Sequence, residues 1–383
     1  MNSRALFASL LVLVFVGAPE TMVTLKQASE YAPETSLKSN TNNLLRWSAG
    51  AVVVFLSLAG IGAYTVFVHM ALSGAEKSIN DACPVPPIYA SPSQLQYTHL
   101  TALDAFLCNL VEFFKIALLP PNKAYSVHFL AGVAPVALVF LIEGTRSDRS
   151  RAVIPLIIGL LYQTISGAVA GSLSWLVIVL SVKGGKGRAP LTQAEAESVF
   201  MAISIGYVLP TLGFVASHDE YVIAYWQVFP LFMSILQVLW LQIRPATVGP
   251  AYYTTRMALI TTIIISAAVH ISFVLNHSSS TPVMSFIQWW PSFTTPDPRS
   301  TTVERAVYHL LQWDSILWYA SAILGQAYLA GSIANAMTTL FFAPIGSIIL
   351  SPGGYVALLA MYREMRLTER AQAEALTAEK KKE

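Results

Sequence analysis

The chain has 383 residues, of which 55% are hydrophobic and 11% are charged, and its formal net charge is +2. A soluble domain carries about 25% charged residues, so this composition excludes an ordinary water-soluble fold and predicts an integral membrane protein. The small net charge also excludes the strong positive field with which proteins bind nucleic acid.

The N-terminus predicts a targeting segment. Within residues 1–19, Arg4 precedes an apolar run from Ala5 to Val16, and the small residues Gly17 and Ala18 follow. This order of charged, apolar and small-residue regions is typical of a signal peptide or signal anchor. Residues 20–46 are polar, rich in Ser, Thr and Asn, and form a separate N-terminal segment.

Residues 47–362 predict an all-α, polytopic membrane bundle of about eight or nine transmembrane helices. The clear apolar segments are about as long as the hydrocarbon core requires. They are 49–72, 127–142, 152–181, 199–216, 221–241, 257–275, 308–329 and 338–361. A further segment, 103–119, is apolar but contains Asp104, Glu112 and Lys115, so it either spans the membrane or lies at the interface.

The tail, residues 363–383, is charged and ends in Lys-Lys-Lys-Glu. Lysines third and fourth from the end look like a dilysine retrieval signal for the endoplasmic reticulum, which must face the cytosol. A basic, solvated tail is the alternative. With a signal peptide and nine spans, the tail is cytosolic, and the predicted location is the endoplasmic reticulum membrane. The two cysteines, Cys83 and Cys108, match no zinc or redox spacing and could form at most one bridge. Two unpaired, packed thiols are expected.

Acidic residues in or beside apolar spans are candidates for chemistry, because an intramembrane charge is unfavourable. With nine spans, Asp104, Glu143 and Asp314 fall on one side of the membrane, and Asp314 lies deepest. For each acid the alternative is an ion pair with an arginine. An apolar cavity lined with aromatic rings suits carbocation chemistry, because the rings stabilise cations and a buried carboxyl can act as an acid. Membrane-interface aromatics are the alternative.

Several enzyme signatures are absent from the sequence. No aspartate-rich stretch offers ligands for magnesium diphosphate, and no HExxH motif or histidine cluster occurs. The sequence therefore predicts neither a metal nor a cofactor.

A set of motifs carries a family likeness. They are Glu143-Gly144-Thr145-Arg146, Gly159-Leu160-Leu161-Tyr162-Gln163, Gly206-Tyr207-Val208-Leu209-Pro210-Thr211, Trp226-Gln227-Val228-Phe229-Pro230-Leu231 and Gln312-Trp313-Asp314. In order and spacing they resemble the fungal membrane-bound terpene cyclases of meroterpenoid pathways, the group that makes ascofuranone- and macrophorin-type skeletons. The resemblance covers most of the chain after about Leu103.

The resemblance implies a metal-independent cyclisation that begins with protonation of a farnesyl chain, epoxidised or not, on an aromatic or related head group. A base removes the last proton. Glu143 and Asp314 match family acids, and Asp104 is a weaker third. The implied substrate-binding residues are Arg146, Tyr162, Gln163, Trp226 and Trp313. The implied partners are a farnesylated small molecule and the lipid bilayer.

Two other function classes stay open at this stage. A transporter or receptor-like bundle is disfavoured by the lack of an internal repeat and by acids placed at one mouth rather than at the midplane. A magnesium-dependent prenyltransferase is disfavoured by the missing aspartate-rich stretch.

Overall fold

The computed structural model describes residues 34–83, 96–120, 122–146, 153–181, 189–217, 219–244, 251–277, 297, 301–330 and 332–381. Within these ranges the architecture is all-helical, with no β-strand, as predicted. The expected signal segment, 1–19, lies outside the described residues.

The described ranges contain fifteen α-helices and two π-helical turns. In chain order they are α1 Glu34–Ala63, a π-helical turn Tyr64–Val68, α2 His69–Leu72, α3 Ala75–Ala82, α4 Thr101–Ala117, α5 Asn122–Thr145, α6 Val153–Ile165, α7 Gly167–Ser181, α8 Gln193–Ile203, a π-helical turn Ser204–Val208, α9 Leu209–Ala216, α10 Glu220–Trp226, α11 Phe229–Ile243, α12 Tyr252–His277, α13 Val303–Leu329, α14 Ile333–Leu350 and α15 Pro352–Lys380.

Five helical stretches of the described chain are long and apolar enough to cross a membrane, namely Ser48–Leu72, Asn122–Thr145, Gln193–Ala216, Tyr252–Leu275 and Ile333–Leu350. A sixth span is added if α10 and α11, which meet at 53°, are taken as one. This is fewer than the eight or nine predicted from the sequence. The segment 152–181 is divided in two at Ser166, and 338–361 is divided at Ser351, where φ is +74° and +72° respectively.

The two ends of the bundle can be told apart by contacts between helices. Where α5 and α13 begin, the Asn122 side-chain amide donates to the Glu304 carbonyl at 2.9 Å. Nearby, Lys115 of α4 pairs with Glu220 at the start of α10, with 2.7 Å between Nζ and Oε1. We call this end, with α3 and α4 and the starts of α5, α10 and α13, the cap end.

The opposite end is defined by α15. Arg363 forms an ion pair with Glu143 near the end of α5, and Arg366 donates to the carbonyl of Ala330 just after α13, at 3.1 Å. We call the end that contains Glu143, Arg146, Arg363 and Glu364 the tail end. α5 and α13 therefore run in the same direction, from the cap end to the tail end.

α6 and α7 together form a hairpin that enters the bundle from the tail end. Near the start of α6, Pro155 packs against Gly144 of α5. α7 runs alongside α13 in the same direction, because Gly171 faces Trp318 while Trp175 faces Gly325. Both outer ends of the pair thus lie at the tail end, and the break at Ser166 lies in the interior.

The two cysteines correct a prediction. Cys83, just after α3, and Cys108 of α4 form a disulfide with a Cα–Cα distance of 5.9 Å. Such a distance is within the usual range for a bridge. The expectation of two unpaired thiols was wrong, because 25 residues of separation say nothing about where the chain returns.

Candidate functional site

Asp314 is buried in α13 and bonds to the first turn of α7. Its Oδ1 accepts a hydrogen bond from the backbone N–H of Ala168 at 2.6 Å. The first N–H groups of a helix have no partner within that helix, and they carry partial positive charge. The break at Ser166 therefore places a helix N-terminus inside the bundle, and the Asp314 carboxyl group caps it.

Two glycines let α7 approach α13 at this point. A Cβ at Gly167 would lie 2.9 Å from the Trp318 ring and 3.5 Å from Asp314 Oδ1, and a Cβ at Gly171 would lie 2.5 Å from the same ring. Asp314 and Trp318 are four residues apart, so they share one face of α13. The carboxyl group and the indole ring are consequently presented together against the backbone of α7.

A chain of ring contacts extends from Trp318 across the bundle. The ring centroids of Trp318 and Tyr162 are 5.4 Å apart, and those of Tyr162 and Phe229 are 5.7 Å apart. Phe229 is 5.1 Å from Trp226, which in turn is 5.2 Å from Phe114 of α4. We call these five residues the aromatic wall.

Two polar atoms of the aromatic wall are buried without a hydrogen-bond partner among the described residues, the Tyr162 hydroxyl and Trp318 Nε1. Buried polar side-chain atoms usually have a partner. By contrast, the Trp226 indole N–H donates to Thr211 Oγ1 at 3.0 Å. The two unpartnered groups are therefore available to a polar atom of a bound molecule.

Asp104 lies at the cap end, in the first turn of α4. Its Oδ1 accepts from the backbone N–H of Thr98 at 2.7 Å and from the Thr98 hydroxyl at 2.8 Å. The side chain thus fixes the segment before α4, on the helix that also carries Cys108. These contacts lie at the cap end, apart from the interior helix break.

Glu143 and Arg146 form part of a buried ion network at the tail end. Arg146 Nη1 lies 3.2 Å from Glu143 Oε1. Arg363 pairs with the same oxygen, and Glu364 pairs with Arg146. The Glu143 and Arg146 side chains are 1% and 2% exposed. The network fastens the end of α5 to α15.

The family can be stated from comparison with known proteins. A family model for the CtvD domain matches residues 51–367. The chain belongs to the CtvD domain family. The family resemblance predicted from the motifs is thereby confirmed.

The CtvD-domain protein is also similar to the curated "Terpene cyclase ascI" of Acremonium egyptiacum. The two are 24% identical over 156 residues, which cover 36% of this chain and 41% of that protein. The match therefore spans about two fifths of the relative's length. No solved structure matches the chain.

The predicted site residues of the CtvD-domain protein divide into two groups. Asp314 and Trp313 are adjacent on α13, Tyr162 and Trp226 belong to the aromatic wall, and Gln163 is half-buried beside Tyr162. Asp104, Glu143 and Arg146 are not brought to this place. Asp104 and Glu143 lie at opposite ends, not on one side as predicted, because α4 does not cross the bundle.

Two buried tyrosines near Asp314, Tyr125 and Tyr319, were missed by sequence reasoning, and a third buried tyrosine, Tyr207, entered it only as part of a family motif. The Tyr125 hydroxyl oxygen lies 2.5 Å from that of Ser315, the residue after Asp314 in α13. The Tyr319 and Tyr207 hydroxyls donate to the carbonyls of Phe129 and Leu130 at 2.9 and 2.8 Å. No local motif marks Tyr125 and Tyr319, since they come from α5 and α13, which meet only in the fold.

Proposed function

We propose that this CtvD-domain protein is a membrane-bound terpene cyclase, which closes rings in a farnesyl chain carried by an aromatic or related head group. The observation that carries the proposal is the Asp314 carboxyl group, buried at the interior N-terminus of α7. The family, and the similarity to a protein named terpene cyclase, support the same reading.

In the proposed mechanism the protonated Asp314 starts the reaction. Its O–H bond breaks as the proton moves to a terminal epoxide oxygen or alkene carbon of the substrate. A carboxylate is unfavourable at this depth, and the N–H groups of the α7 N-terminus stabilise it once the proton has left. Asp314 is therefore assigned as the catalytic acid, while Glu143 and Asp104 are assigned to structure.

The aromatic wall is assigned to the cationic steps. After protonation, electrons of neighbouring double bonds close the rings and carry the positive charge along the chain. The faces of Trp318, Tyr162 and Trp226 can stabilise such a charge through cation–π attraction. Loss of one proton from the carbon next to the final cation gives an uncharged isomer of the substrate.

The direct test uses microsomes from cells that express the protein, incubated with a farnesylated phenol whose terminal double bond is epoxidised. We expect a new product of identical mass, with equal yield in the presence and absence of EDTA. Among the described residues, no group of three or more His, Cys, Asp or Glu could hold a metal ion. Loss of activity in EDTA that magnesium restores would favour a prenyltransferase, and uptake without conversion would favour a transporter.

We further propose that the cap end faces the lumen of the endoplasmic reticulum and the tail end faces the cytosol. Disulfides persist in oxidising compartments, and the Cys83–Cys108 bridge is at the cap end. The exposed, charged continuation of α15 leaves the bundle at the tail end, opposite the end that carries the disulfide. Trypsin added to sealed microsomes should remove the tail and leave the cap intact, whereas cleavage in the cap with a protected tail would reverse the orientation.

A further inference from the structure

A second polar group lies within the bundle, apart from the ion network and the aromatic wall. His128 of α5 and His270 of α12 are linked by their rings, with 2.8 Å between His128 Nε2 and His270 Nδ1. His270 Nε2 lies 3.0 Å from the carbonyl oxygen of Ile348 on α14. The hydrogen bonds therefore run from His128 to His270 and from His270 to the Ile348 carbonyl, and they link three helices.

This order determines the proton positions. A carbonyl oxygen only accepts, so His270 Nε2 carries the hydrogen. In a neutral imidazole the other nitrogen is an acceptor, so His270 Nδ1 accepts a hydrogen bond that His128 Nε2 donates. A charged ring at this depth would be unfavourable. Nδ1 of His128 is therefore the nitrogen without a hydrogen, and it is buried with no partner among the described residues.

His128 lies on α5 between Tyr125, which contacts Ser315, and Phe129, whose carbonyl accepts from Tyr319, so it is level with the part of α13 that directly follows Asp314. The His128 ring packs on Phe273, with 4.8 Å between centroids, and is 6.0 Å from the ring of Tyr125, one turn earlier on α5. The Tyr125 and Ser315 hydroxyl oxygens are 2.5 Å apart, and Ser315 follows Asp314 in α13. Tyr125 therefore connects the surroundings of His128 with those of the acid.

We propose that His128 is the base that ends the cyclisation, a role that rests on the proposed cyclase function. Its Nδ1 takes the proton from the carbon next to the final cation, and the electrons of that C–H bond form a double bond. Asp314 gives one proton and His128 receives one, so substrate and product are isomers. Exchange with water restores both groups. His270 is a positioning residue, because its acceptor nitrogen keeps the hydrogen of His128 on Nε2.

The experiment compares His128→Phe, His270→Phe and His270→Gln with the wild type, using the same epoxidised farnesyl phenol. His128→Phe should still consume the probe, because Asp314 is intact. Its share of the wild-type isomer should fall by roughly two orders of magnitude, the usual scale for a positioned base. Water adducts and other alkene isomers should replace that product. His270→Gln offers a side-chain oxygen to His128 Nε2 and should restore much of the isomer that His270→Phe loses.

A second measurement needs no substrate. ¹⁵N-histidine NMR is recorded on the detergent-solubilised protein. The signals of His128 and His270 are assigned as those missing from His128→Phe and from His270→Phe. Both signals should belong to a neutral ring with its hydrogen on Nε2. A His128 signal with hydrogen on Nδ1 would overturn the assignment, as would His128→Phe making the wild-type isomer at the wild-type share. If the wild type leaves the probe unchanged but the tautomer is as expected, the proposed cyclase function is wrong, while the assignment of His128 Nδ1 as the nitrogen without a hydrogen is upheld.

Discussion

Replacing Asp314 with asparagine is expected to lower turnover by roughly two or more orders of magnitude, the scale of a positioned acid. Asparagine keeps an oxygen that can accept a hydrogen bond from the Ala168 N–H, whose nitrogen lies 2.6 Å from Asp314 Oδ1. The α7 N-terminus should therefore keep its cap, and the fold should persist. What the variant lacks is a proton that it can transfer. Turnover of the epoxidised farnesyl phenol and thermal melting in detergent are measured side by side.

Asp104→Asn is the matched control, because it makes the same chemical change at another buried aspartate. Asp104 is 2% exposed, and its Oδ1 accepts two hydrogen bonds from Thr98. Turnover should stay close to that of the wild type. A folded Asp314→Asn variant with full activity would remove Asp314 from the mechanism. If Asp104→Asn were inactive while Asp314→Asn stayed active, Asp104 at the cap end would be the catalytic acid.

Replacing Glu143 with glutamine is expected to destabilise the protein by about 3–5 kcal/mol, the cost of breaking a buried ion pair from one side. Arg146 and Arg363 both pair with Oε1 of Glu143, so a neutral side chain leaves buried positive charge without full compensation. Glutamine retains the size and an oxygen of glutamate, so the loss reports on charge. The measurements are unfolding in detergent and turnover per folded molecule, which should change little.

The control for Glu143 is Glu197→Gln at the same end of the bundle. Glu197 Oε2 pairs with Arg244 at 2.8 Å, but the Arg244 side chain is 46% exposed. An exposed pair contributes roughly 0–1 kcal/mol, so this variant should melt near the wild type. A Glu143→Gln variant that is as stable as Glu197→Gln yet inactive would return Glu143 to the chemistry that the family resemblance implied.

The helical class could be predicted because apolar composition alone requires it, but the number of spans could not. The segment 152–181 has no charge and no mid-segment proline, so a hydropathy pattern reads it as continuous. Its break depends on Ser166 in the left-handed region, which Asp314 stabilises from another helix by capping α7. The residue that stabilises the break is therefore far from it in the sequence, so the pattern of segment 152–181 alone does not indicate the break. The charges in 103–119, by contrast, did signal the alternative that α4 lies outside the spans.

A site residue could be predicted where its own type and position were unusual. It could not be predicted where its importance comes from a contact with another helix. Asp314 stood out because a carboxyl group deep in an apolar helix is unfavourable unless it has a use. Its partner is the backbone N–H of Ala168, and the residue types in the sequence do not indicate a backbone contact. Likewise, the tautomer of His128 depends on His270 and on the Ile348 carbonyl, and these come from two other helices.

The unequal burial of the candidate spans has an evolutionary consequence. In α5, 83% of the apolar window is buried inside the protein, whereas in α14 only 11% is. Side chains packed against protein must fit neighbours of fixed shape, while those facing lipid need only be apolar. Leu, Ile, Val and Phe can therefore replace one another freely along most of α14. Among related sequences, residue identity should therefore fall fastest along α14 and slowest along α5.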